Sequence, residues 1–349
     1  MTITALEVEN LRSLIQLSWR PAAGLNLIVG RNGAGKTSLL EAISLAATSK
    51  ALRPGSARGA IRHGADQLRV VVRFGESLDA GELRYERGRS VRSWRLDGEA
   101  LKSAVRAYER LPLLILSPET HYATLQDAQV RRAAMYWLLF HVEPLFLETW
   151  RRYQRILRQR NAALREGRGL YRIFNPGLAQ SGEALAAFWC RAQERLQGPF
   201  QEFADRLELQ SPVTMRLRPG WGEGSLEAAL SRSEDGDERL GYTQAGPHRA
   251  DIQFVLGGHP LGQVGSHGQQ KVIVSAWRLA LAQCAERAGR PPILLVDDLA
   301  AELDSVRRKA FYEVLTDGKS QAFVTAIDTE TLPSSATMFH VEHCGYGAS

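Results

Sequence analysis

The feature that most constrains the fold of this chain is a glycine-rich segment near its first residues, Gly30–Thr37. The segment fits the pattern G-x-x-x-x-G-K-S/T, and its residues are, in order, Gly30, Arg31, Asn32, Gly33, Ala34, Gly35, Lys36 and Thr37. The apolar run Leu25–Val29 before it is typical of a buried strand. After it, apolar residues recur at helical spacing over Lys36–Ala47. A strand, a glycine-rich turn and a helix in this order predict a phosphate-binding loop, called the P-loop below.

Each residue type in the P-loop suits the binding of phosphate. Glycines allow successive backbone N–H groups to point at phosphate oxygens, and the start of the helix adds the positive end of its dipole. We expect Lys36 to reach the β- and γ-phosphates and the Thr37 hydroxyl to ligate Mg²⁺. The sequence therefore predicts that Gly30–Thr37 binds ATP together with Mg²⁺.

Two carboxylates follow another strand candidate much later in the chain. Ile293–Val296 is wholly apolar, and Asp297 and Asp298 come directly after it. In P-loop proteins an acidic residue at such a strand end holds the Mg²⁺, and we expect Asp297 to do so. Asp298 is then the candidate catalytic residue that orients or deprotonates an attacking water.

Between these segments lies Ser266-His267-Gly268-Gln269, at the start of a helix predicted over Gln269–Arg287. Small residues before a helix expose N–H donors and a serine hydroxyl, which suits an anion. A serine in this position is also a common N-cap that needs no ligand. From these residues alone, the N-cap is the better interpretation.

Strand-like and helical segments alternate towards both ends of the chain, which indicates an α/β domain with a largely parallel sheet. Further predicted elements are the strands Thr2–Val8, Leu68–Phe74, Glu82–Leu96, Leu111–Leu116, Ala250–Leu256, Ala322–Thr325 and Met338–Glu342, and the helix Ser305–Leu315. From about Thr120 to Leu209 the periodicity becomes helical, and arginines and aromatic residues replace the β-branched runs. A passage rich in glycine, proline, serine and acidic residues, Ser211–Glu238, follows that stretch.

The chain has a modest basic excess, with a formal net charge of +6, and 38 of its 44 basic residues are arginines. Such a charge permits a nucleic-acid partner without requiring one. One predicted helix carries an apolar stripe of Trp150, Tyr153, Ile156, Leu157 and Leu164, and its arginines Arg151, Arg152, Arg155, Arg158 and Arg165 fall largely outside that stripe. A solvated helix face and a phosphate-binding face explain these arginines equally well.

Several classes of protein are disfavoured by what the sequence lacks. No apolar run approaches the ~20 residues that cross a bilayer, and Met1–Leu11 has no basic region that leads into a long apolar run. The three cysteines form no C-x-x-C pair, which argues against a zinc site or a disulfide framework. We therefore expect a cytoplasmic protein with no membrane partner.

The order of P-loop, Ser-x-Gly-Gln and apolar strand with Asp-Asp resembles the ATP-binding-cassette (ABC) class of ATPases. In that class Ser-x-Gly-Gln is the signature motif, and it completes the γ-phosphate site of a second protomer. The resemblance implies that Ser266, Gly268 and Gln269 contact a partner's nucleotide, and that Ser266 and Lys36 act in catalysis beside Asp298. It also implies an ATP-dependent homodimer with two-fold symmetry, in which Glu302-Leu303-Asp304 lies at the dimer interface.

Longer stretches resemble the RecF family of bacterial recombination and gap-repair proteins across nearly the whole chain. They are Glu9–Ser13, Leu116–Glu119, Arg131-Arg132, Tyr153, Arg160-Asn161, Thr243, Gly246–Arg249, Gly268–Lys271, Asp297-Asp298 and Glu302–Asp304. The resemblance implies an α/β, ABC-type P-loop ATPase head with a mixed sheet, built from 1–118 and 239–349, and an inserted, mainly helical lobe over 119–238.

The same resemblance implies a function. RecF-like proteins dimerise on ATP, bind DNA (single-stranded, gapped or duplex) and hydrolyse ATP slowly, as a weak DNA-stimulated ATPase. Together with RecO and RecR they help to load RecA at gaps, with roles in replication and SOS induction. They act in the cytoplasm, in association with the nucleoid.

The chain departs from the family pattern at four positions, occupied here by Tyr136, Ala250, Gly265 and His267. Arg12 and Arg53 resemble arginines that approach the nucleotide or DNA in related heads. Thr325 falls near the position at which transporters carry a catalytic histidine, and the absence of that histidine fits slow hydrolysis.

Three alternative classes share parts of this pattern. Heads of structural-maintenance or double-strand-break proteins carry long heptad arms at the insertion, and no sustained heptads occur here. A transporter ATPase subunit carries a firmer Leu-Ser-Gly-Gly-Gln motif and the histidine. A nucleotide-gated DNA scaffold without significant hydrolysis stays open, because aspartate matches the base position of the class less well than glutamate.

Overall fold

The computed structural model describes residues 1–53, 57–76, 79–167, 169–298, 303–326 and 336–341. These residues group into two compact units. The sheet unit comprises the described residues of Met1–His121, Arg206–Glu208 and Ala285–Ser349. The helical unit comprises those of Tyr122–Asp205 and Leu209–Cys284.

Both units contain strands and helices, which are numbered separately in chain order. The strands are β1 (Ile3–Leu11), β2 (Leu14–Trp19), β3 (Leu25–Val29), β4 (Gln67–Phe74), β5 (Gly81–Gly88), β6 (Arg92–Leu96), β7 (Glu99–Ala100), β8 (Leu113–Leu116), β9 (Val213–Arg218), β10 (Asp251–Leu256), β11 (His259–Pro260), β12 (Ile293–Val296), β13 (Ala322–Ala326) and β14 (Thr337–His340). The helices are α1 (Lys36–Thr48), α2 (Val105–Arg110), α3 (Pro118–Gln126), α4 (Ala128–Val142), α5 (Phe146–Glu166), α6 (Asn175–Arg206), α7 (Leu226–Arg232), α8 (Glu234–Leu240), α9 (Leu261–Val264), α10 (His267–Arg287) and α11 (Ser305–Asp317).

A parallel sheet of five strands, in the order β14-β3-β13-β12-β8, forms the centre of the sheet unit. The register pairs Val29 with Ala326 and Val296 with Val324, so β3, β13 and β12 all end at one edge. In open parallel sheets, ligands bind outside the carboxyl ends of the strands. That edge is therefore where a site is expected.

The second sheet of this unit is antiparallel and has six strands in the order β2-β1-β4-β5-β6-β7. Helix α1 packs into a core that both sheets share, and its Leu39, Leu40 and Ile43 are fully buried. Burial of each such side chain contributes roughly 1.5–3 kcal/mol. The helix that follows the P-loop is thereby fixed along its whole length.

The helical unit combines the long helices α4, α5 and α6 with an antiparallel sheet in the order β11-β10-β9. An aromatic cluster joins the helices, with the Tyr136 and Trp189 rings 5.6 Å apart and the Tyr136 and Phe146 rings 5.7 Å apart. Such ring pairs stabilise a core beyond their burial alone.

Most of the predicted elements are confirmed, among them β1, β3, β4, α1, β10, α10, β12, α11 and β13. The prediction of one strand over Glu82–Leu96 was wrong, because the chain turns after Gly88 to form β5 and β6. The passage Ser211–Glu238 contains β9, α7 and the first residues of α8, which were not predicted.

Residues 239–284 group with the helical unit, since β10 pairs with β9 along its whole length. The division into an ATPase head built from 1–118 and 239–349 and an inserted lobe over 119–238 stays a prediction. Within the described ranges, no helix is both long enough and apolar enough to span a membrane.

Candidate nucleotide site

The P-loop lies at the expected sheet edge, between the end of β3 and the start of α1. Gly33 and Gly35 have φ angles of 80° and 115°, in the left-handed region that favours glycine. A Cβ atom at Gly30 would collide with the carbonyl oxygen of Val341. The three glycines of the motif are therefore required by the backbone path of the loop.

Lys36 is buried at 6% exposure, and its ammonium group folds over the loop. Its Nζ donates to the carbonyl oxygens of Gly30 at 2.7 Å and Arg31 at 3.3 Å. Arg31, Asn32 and Gly33 are exposed. The loop thus offers an open rim with a cation at its centre, which is the arrangement that a polyphosphate requires.

Thr37 and the two aspartates come together at the same edge. The Thr37 hydroxyl donates to Asp297 Oδ1 at 3.0 Å, and Asp298 follows with a φ angle of 50°. A positive φ is uncommon for a residue other than glycine. The structure therefore brings Thr37 together with Asp297, beside Asp298.

Thr325, at the end of β13, links the two aspartates. Its Oγ1 accepts the Asp298 N–H at 2.8 Å and lies 3.0 Å from Asp297 Oδ1 and 3.4 Å from Asp298 Oδ1. The sequence singled out Thr325 only because it falls near the position at which transporters carry a catalytic histidine. Its bonding role depends on the pairing of β12 with β13, which no local pattern encodes.

The charge around Asp297 fits a cation. Burial and the neighbouring Asp298 carboxylate raise the pKa of Asp297, while hydrogen bonds from Thr325 and Thr37 and the charge of Arg53 oppose the increase. The described residues contain no cluster of three or more His, Cys, Asp or Glu side chains that could hold a metal. Two protein oxygens, from Thr37 and Asp297, suit Mg²⁺, which usually keeps waters and phosphate oxygens as its other ligands.

Arg12 and Arg53 differ in how they relate to this site. Arg12 Nε and Nη2 donate to the two carboxylate oxygens of the buried Glu41, at 2.9 and 3.0 Å, and Nη1 donates to the Gly59 carbonyl at 2.7 Å. This bidentate pair raises the pKa of Arg12. Arg12 thus joins the start of the chain to α1, whereas exposed Arg53 acts on Asp297 through its charge.

The signature segment, Ser266–Gln269, lies in the helical unit at the start of α10. Ser266 Oγ accepts the Gln269 N–H at 3.3 Å, and Gln269 Oε1 accepts the Ser266 N–H at 2.9 Å. This reciprocal pair is a capping box. Because Ser266 Oγ accepts in the cap, its own hydroxyl proton stays available for a ligand, and Ser266, His267 and Gly268 are exposed.

The predicted dimer-interface segment is described only in part. Glu302 lies outside the described residues, Leu303 is buried, and Asp304 caps α11 by accepting the Arg307 N–H at 3.0 Å. The role of this segment at an interface stays a prediction.

Comparison with known proteins decides the family. The family model of the RecF/RecN/SMC N-terminal domain matches residues 2–348. DNA replication and repair protein RecF of Thioalkalivibrio sulfidiphilus is 38% identical over 356 residues, covering 98% of each chain. The protein of that name from Stenotrophomonas maltophilia is 37% identical, again covering 98% of each. The chain belongs to the RecF family of DNA replication and repair proteins.

Solved structures agree on the fold. The recombination mediator protein RecF with ATP, of the RecFOR pathway, matches with a TM-score of 0.82 at 22% identity, covering 98% of this chain and 96% of that one. An SMC head bound to the C-winged helix domain of ScpA matches with a TM-score of 0.64 at 15% identity, covering 98% and 95%. The predicted fold, an ABC-type head with an added helical lobe, is confirmed.

The stretches most specific to the RecF resemblance meet inside the helical unit. Arg160 and Asp237 are both fully buried and form an ion pair at 2.7 Å, and Arg160 Nη1 also donates to Thr243 Oγ1 at 2.8 Å. Asn161 Oδ1 accepts the Thr243 N–H at 2.9 Å. These motif residues therefore position one another, and their visible role is structural.

The Gly246–Arg249 stretch belongs to the same network. The Tyr153 hydroxyl lies 2.6 Å from His248 Nδ1, and His248 Nε2 lies 3.0 Å from the Thr243 carbonyl. Tyr136, one of the departures from the RecF pattern, donates to the Pro247 carbonyl at 3.3 Å. A tyrosine at that position thus supports the same turn.

Proposed function

We propose that this RecF-family protein is an ATP-gated homodimer that binds DNA in recombinational gap repair. The observation that carries the proposal is the exposed signature segment, in which the Ser266 hydroxyl keeps a free proton after capping α10. The P-loop lies in the sheet unit, and the exposed donors of the signature segment lie in the helical unit. This division supports a nucleotide site that is completed when two copies of the chain associate.

The residues at the sheet edge fit MgATP. In this proposal Gly30–Thr37 bind the triphosphate, Lys36 contacts the β- and γ-phosphates, and Thr37 and Asp297 hold Mg²⁺. When bound, Mg²⁺ supplies the positive charge that offsets the phosphate oxygens and the two carboxylates. Ser266, Gly268 and Gln269 of a second copy then face the γ-phosphate through the hydroxyl and the first N–H groups of α10.

Weak ATP hydrolysis follows from the groups available to the attacking water. Asp298 is the proposed base, and its backbone N–H and carboxylate are both close to Thr325. Thr325 is a neutral hydroxyl that cannot take up a proton at ordinary pH. We therefore propose slow, DNA-stimulated turnover, in which ATP sets the lifetime of the dimer.

A scaffold without significant hydrolysis is the second candidate. Its supporting feature is the proposed base itself, because aspartate at position 298 matches the base position of the ABC class less well than glutamate. The two candidates differ in one readout, since only an ATPase releases DNA after turnover.

The partners in this proposal follow from the RecF family. They are DNA at gaps, with single-stranded and duplex parts, and RecO- and RecR-like proteins that help to load the RecA recombinase. Such a role serves replication and SOS induction and places the protein in the cytoplasm, at the nucleoid, with no membrane partner.

DNA affinity measured with and without ATP tests the proposal. In a fluorescence anisotropy assay with gapped DNA, affinity should rise at least about tenfold when MgATP is added, because only the dimer presents two DNA-binding surfaces. It should fall steeply with salt, because phosphate contacts release counterions.

The Lys36→Ala variant is the control for the nucleotide. It removes the cation at the centre of the P-loop, so its DNA affinity should not respond to ATP. Equal affinity of the wild type with and without ATP would contradict the gated dimer.

A further inference from the structure

Helix α5 carries a row of arginines along one face, an arrangement that the high arginine content of the chain does not by itself produce. Its buried residues include Tyr153, Leu157, Arg160 and Leu164. On the opposite side, the arginine stripe consists of Arg151, Arg155, Arg158 and Arg165, all exposed. At 3.6 residues per turn and 1.5 Å per residue, the stripe occupies about 80° of the helix and is about 21 Å long.

No acidic residue of α5 lies within the stripe. Ala162 is exposed in the same sector and too small to interrupt it. The carboxylates of this helix nearest to the stripe, Glu148 and Glu166, lie towards its two ends. The positive charge therefore covers a length of about six base pairs of a duplex, at 3.4 Å each.

The exposed arginines that the structure describes differ in their ion pairing. Among the described residues, no Asp or Glu oxygen forms an ion pair with Arg151, Arg155, Arg158 or Arg165. Other exposed arginines, such as Arg20 and Arg290, likewise form no ion pair with a described carboxylate, while some are paired, as Arg73 is with Glu7 at 2.7 Å and Glu82 at 3.2 Å. Another pair joins Arg106 to Glu99 at 2.7 Å.

The grouping of these arginines separates two explanations. A general excess of arginine scatters exposed arginines over many surfaces, and it does not by itself gather four of them within one sector of one helix that holds no carboxylate. Unpaired guanidinium groups in a row repel one another, and an external polyanion relieves that repulsion. Arginine is also the side chain that binds phosphate with two parallel hydrogen bonds.

We propose that the arginine stripe of α5 contacts the phosphate backbone of duplex DNA. The inference rests on the proposed DNA-binding function and assigns it a surface. Proteins that bind single strands add exposed aromatic side chains on which bases stack. The aromatic residues of α5 point inward instead, since Tyr153 and Phe146 are buried and Trp150 packs near Tyr136, with ring centroids 6.4 Å apart. A row of arginines without exposed aromatic rings therefore suits the phosphate backbone of a duplex.

The test compares two double variants that remove the same charge from exposed helix positions of one unit. Arg155→Gln with Arg158→Gln removes the centre of the stripe. The matched control, Arg191→Gln with Arg195→Gln, removes arginines of α6 that both pair with Glu143, at 3.1 and 3.2 Å. Glutamine keeps the helix propensity of arginine within a few tenths of a kcal/mol.

The readouts are duplex affinity by anisotropy, its salt dependence, and ATP-dependent dimerisation by sedimentation. The stripe variant should bind duplex DNA at least about tenfold more weakly, and its log–log salt slope should be shallower by about 2 for each protomer on the DNA. It should dimerise with ATP as the wild type does. The control should stay within about twofold of the wild type, and Arg155→Lys with Arg158→Lys should restore part of the affinity, because lysine keeps the charge but not the paired hydrogen bonds.

Three results would overturn the inference. The stripe variant could bind duplex DNA like the wild type, both double variants could lose affinity equally, or only single-strand binding could fall. In each of these cases the wild type still binds DNA with ATP, so the proposed function stands. A wild type that fails to bind DNA would instead contradict the proposed function itself.

Discussion

Thr325 shows how one buried side chain can set the geometry of the acidic edge. Its exposure is 1%, and its hydroxyl bonds to the backbone of Asp298 and approaches both carboxylates. Asp298 has a φ angle of 50°, a conformation that costs a non-glycine residue roughly 1–2 kcal/mol. The bond to Thr325 helps to hold that conformation, so Thr325 is a positioning residue for the proposed base.

Replacement of Thr325 by valine should therefore slow hydrolysis while leaving ATP binding largely intact. Loss of one hydrogen bond of about 1 kcal/mol corresponds to a rate roughly fivefold lower. Thr325→Ser keeps the hydroxyl and should restore the rate. The measurement is kcat and KM for ATP in the presence of DNA. A wild-type kcat in the valine variant would remove the positioning role.

Parts of this site could be predicted from local patterns and parts could not. The P-loop and Asp297-Asp298 could be predicted because each directly follows one apolar strand in the sequence. The bond from Thr325 to Asp298 joins residues that are adjacent only through strand pairing. Likewise, the capping box of Ser266 and Gln269 is local and could have been recognised from its spacing.

At the scale of elements, α5 and the turn Pro247–Arg249 are joined through His248. Its Nδ1 lies 2.6 Å from the Tyr153 hydroxyl and its Nε2 lies 3.0 Å from the Thr243 carbonyl. The carbonyl can only accept, so Nε2 carries the proton and Nδ1 accepts from Tyr153. Burial lowers the pKa of His248; the charges of Arg249 and Arg132 act in the same direction, and the Thr243 hydrogen bond and Asp237 oppose it.

A lowered histidine pKa predicts a loss of stability in acid. Below the unfolded pKa of about 6.5, the unfolded chain binds a proton that the folded chain resists. The stability due to neutral His248 is full above that pH and decreases as the pH falls towards the folded pKa. Urea unfolding at pH 7.5 and 5.5 should show a larger decrease in midpoint for the wild type than for His248→Gln. Equal decreases would contradict this account of the turn.

The elements themselves were predictable to different degrees. β3, β12 and α1 have strong apolar periodicity, and their predicted bounds are close to those observed. β9 was hidden in a passage rich in turn-forming residues, although Val213 and Met215 are buried in alternation. The Arg160–Asp237 pair joins residues 77 positions apart, so no sequence window contains both.

At the scale of the whole molecule, the P-loop and the signature segment belong to different compact units of the chain. A nucleotide bound by the P-loop of one copy is, in our proposal, enclosed by the signature segment of another. ATP then controls whether two arginine stripes are presented to DNA together. In that proposal the P-loop sets the lifetime of the dimer through slow hydrolysis.

The measurement that tests this account most directly is sedimentation of Ser266→Arg with MgATP. The variant should bind ATP like the wild type yet stay monomeric, because the larger side chain obstructs only the partner's nucleotide. Ser225→Arg is the matched control, since exposed Ser225 caps α7 by accepting the Ala228 N–H at 3.2 Å, and loss of either cap costs about 1 kcal/mol. Wild type and Ser225→Arg should form dimers with ATP. A Ser266→Arg protein that also dimerises would contradict the shared site.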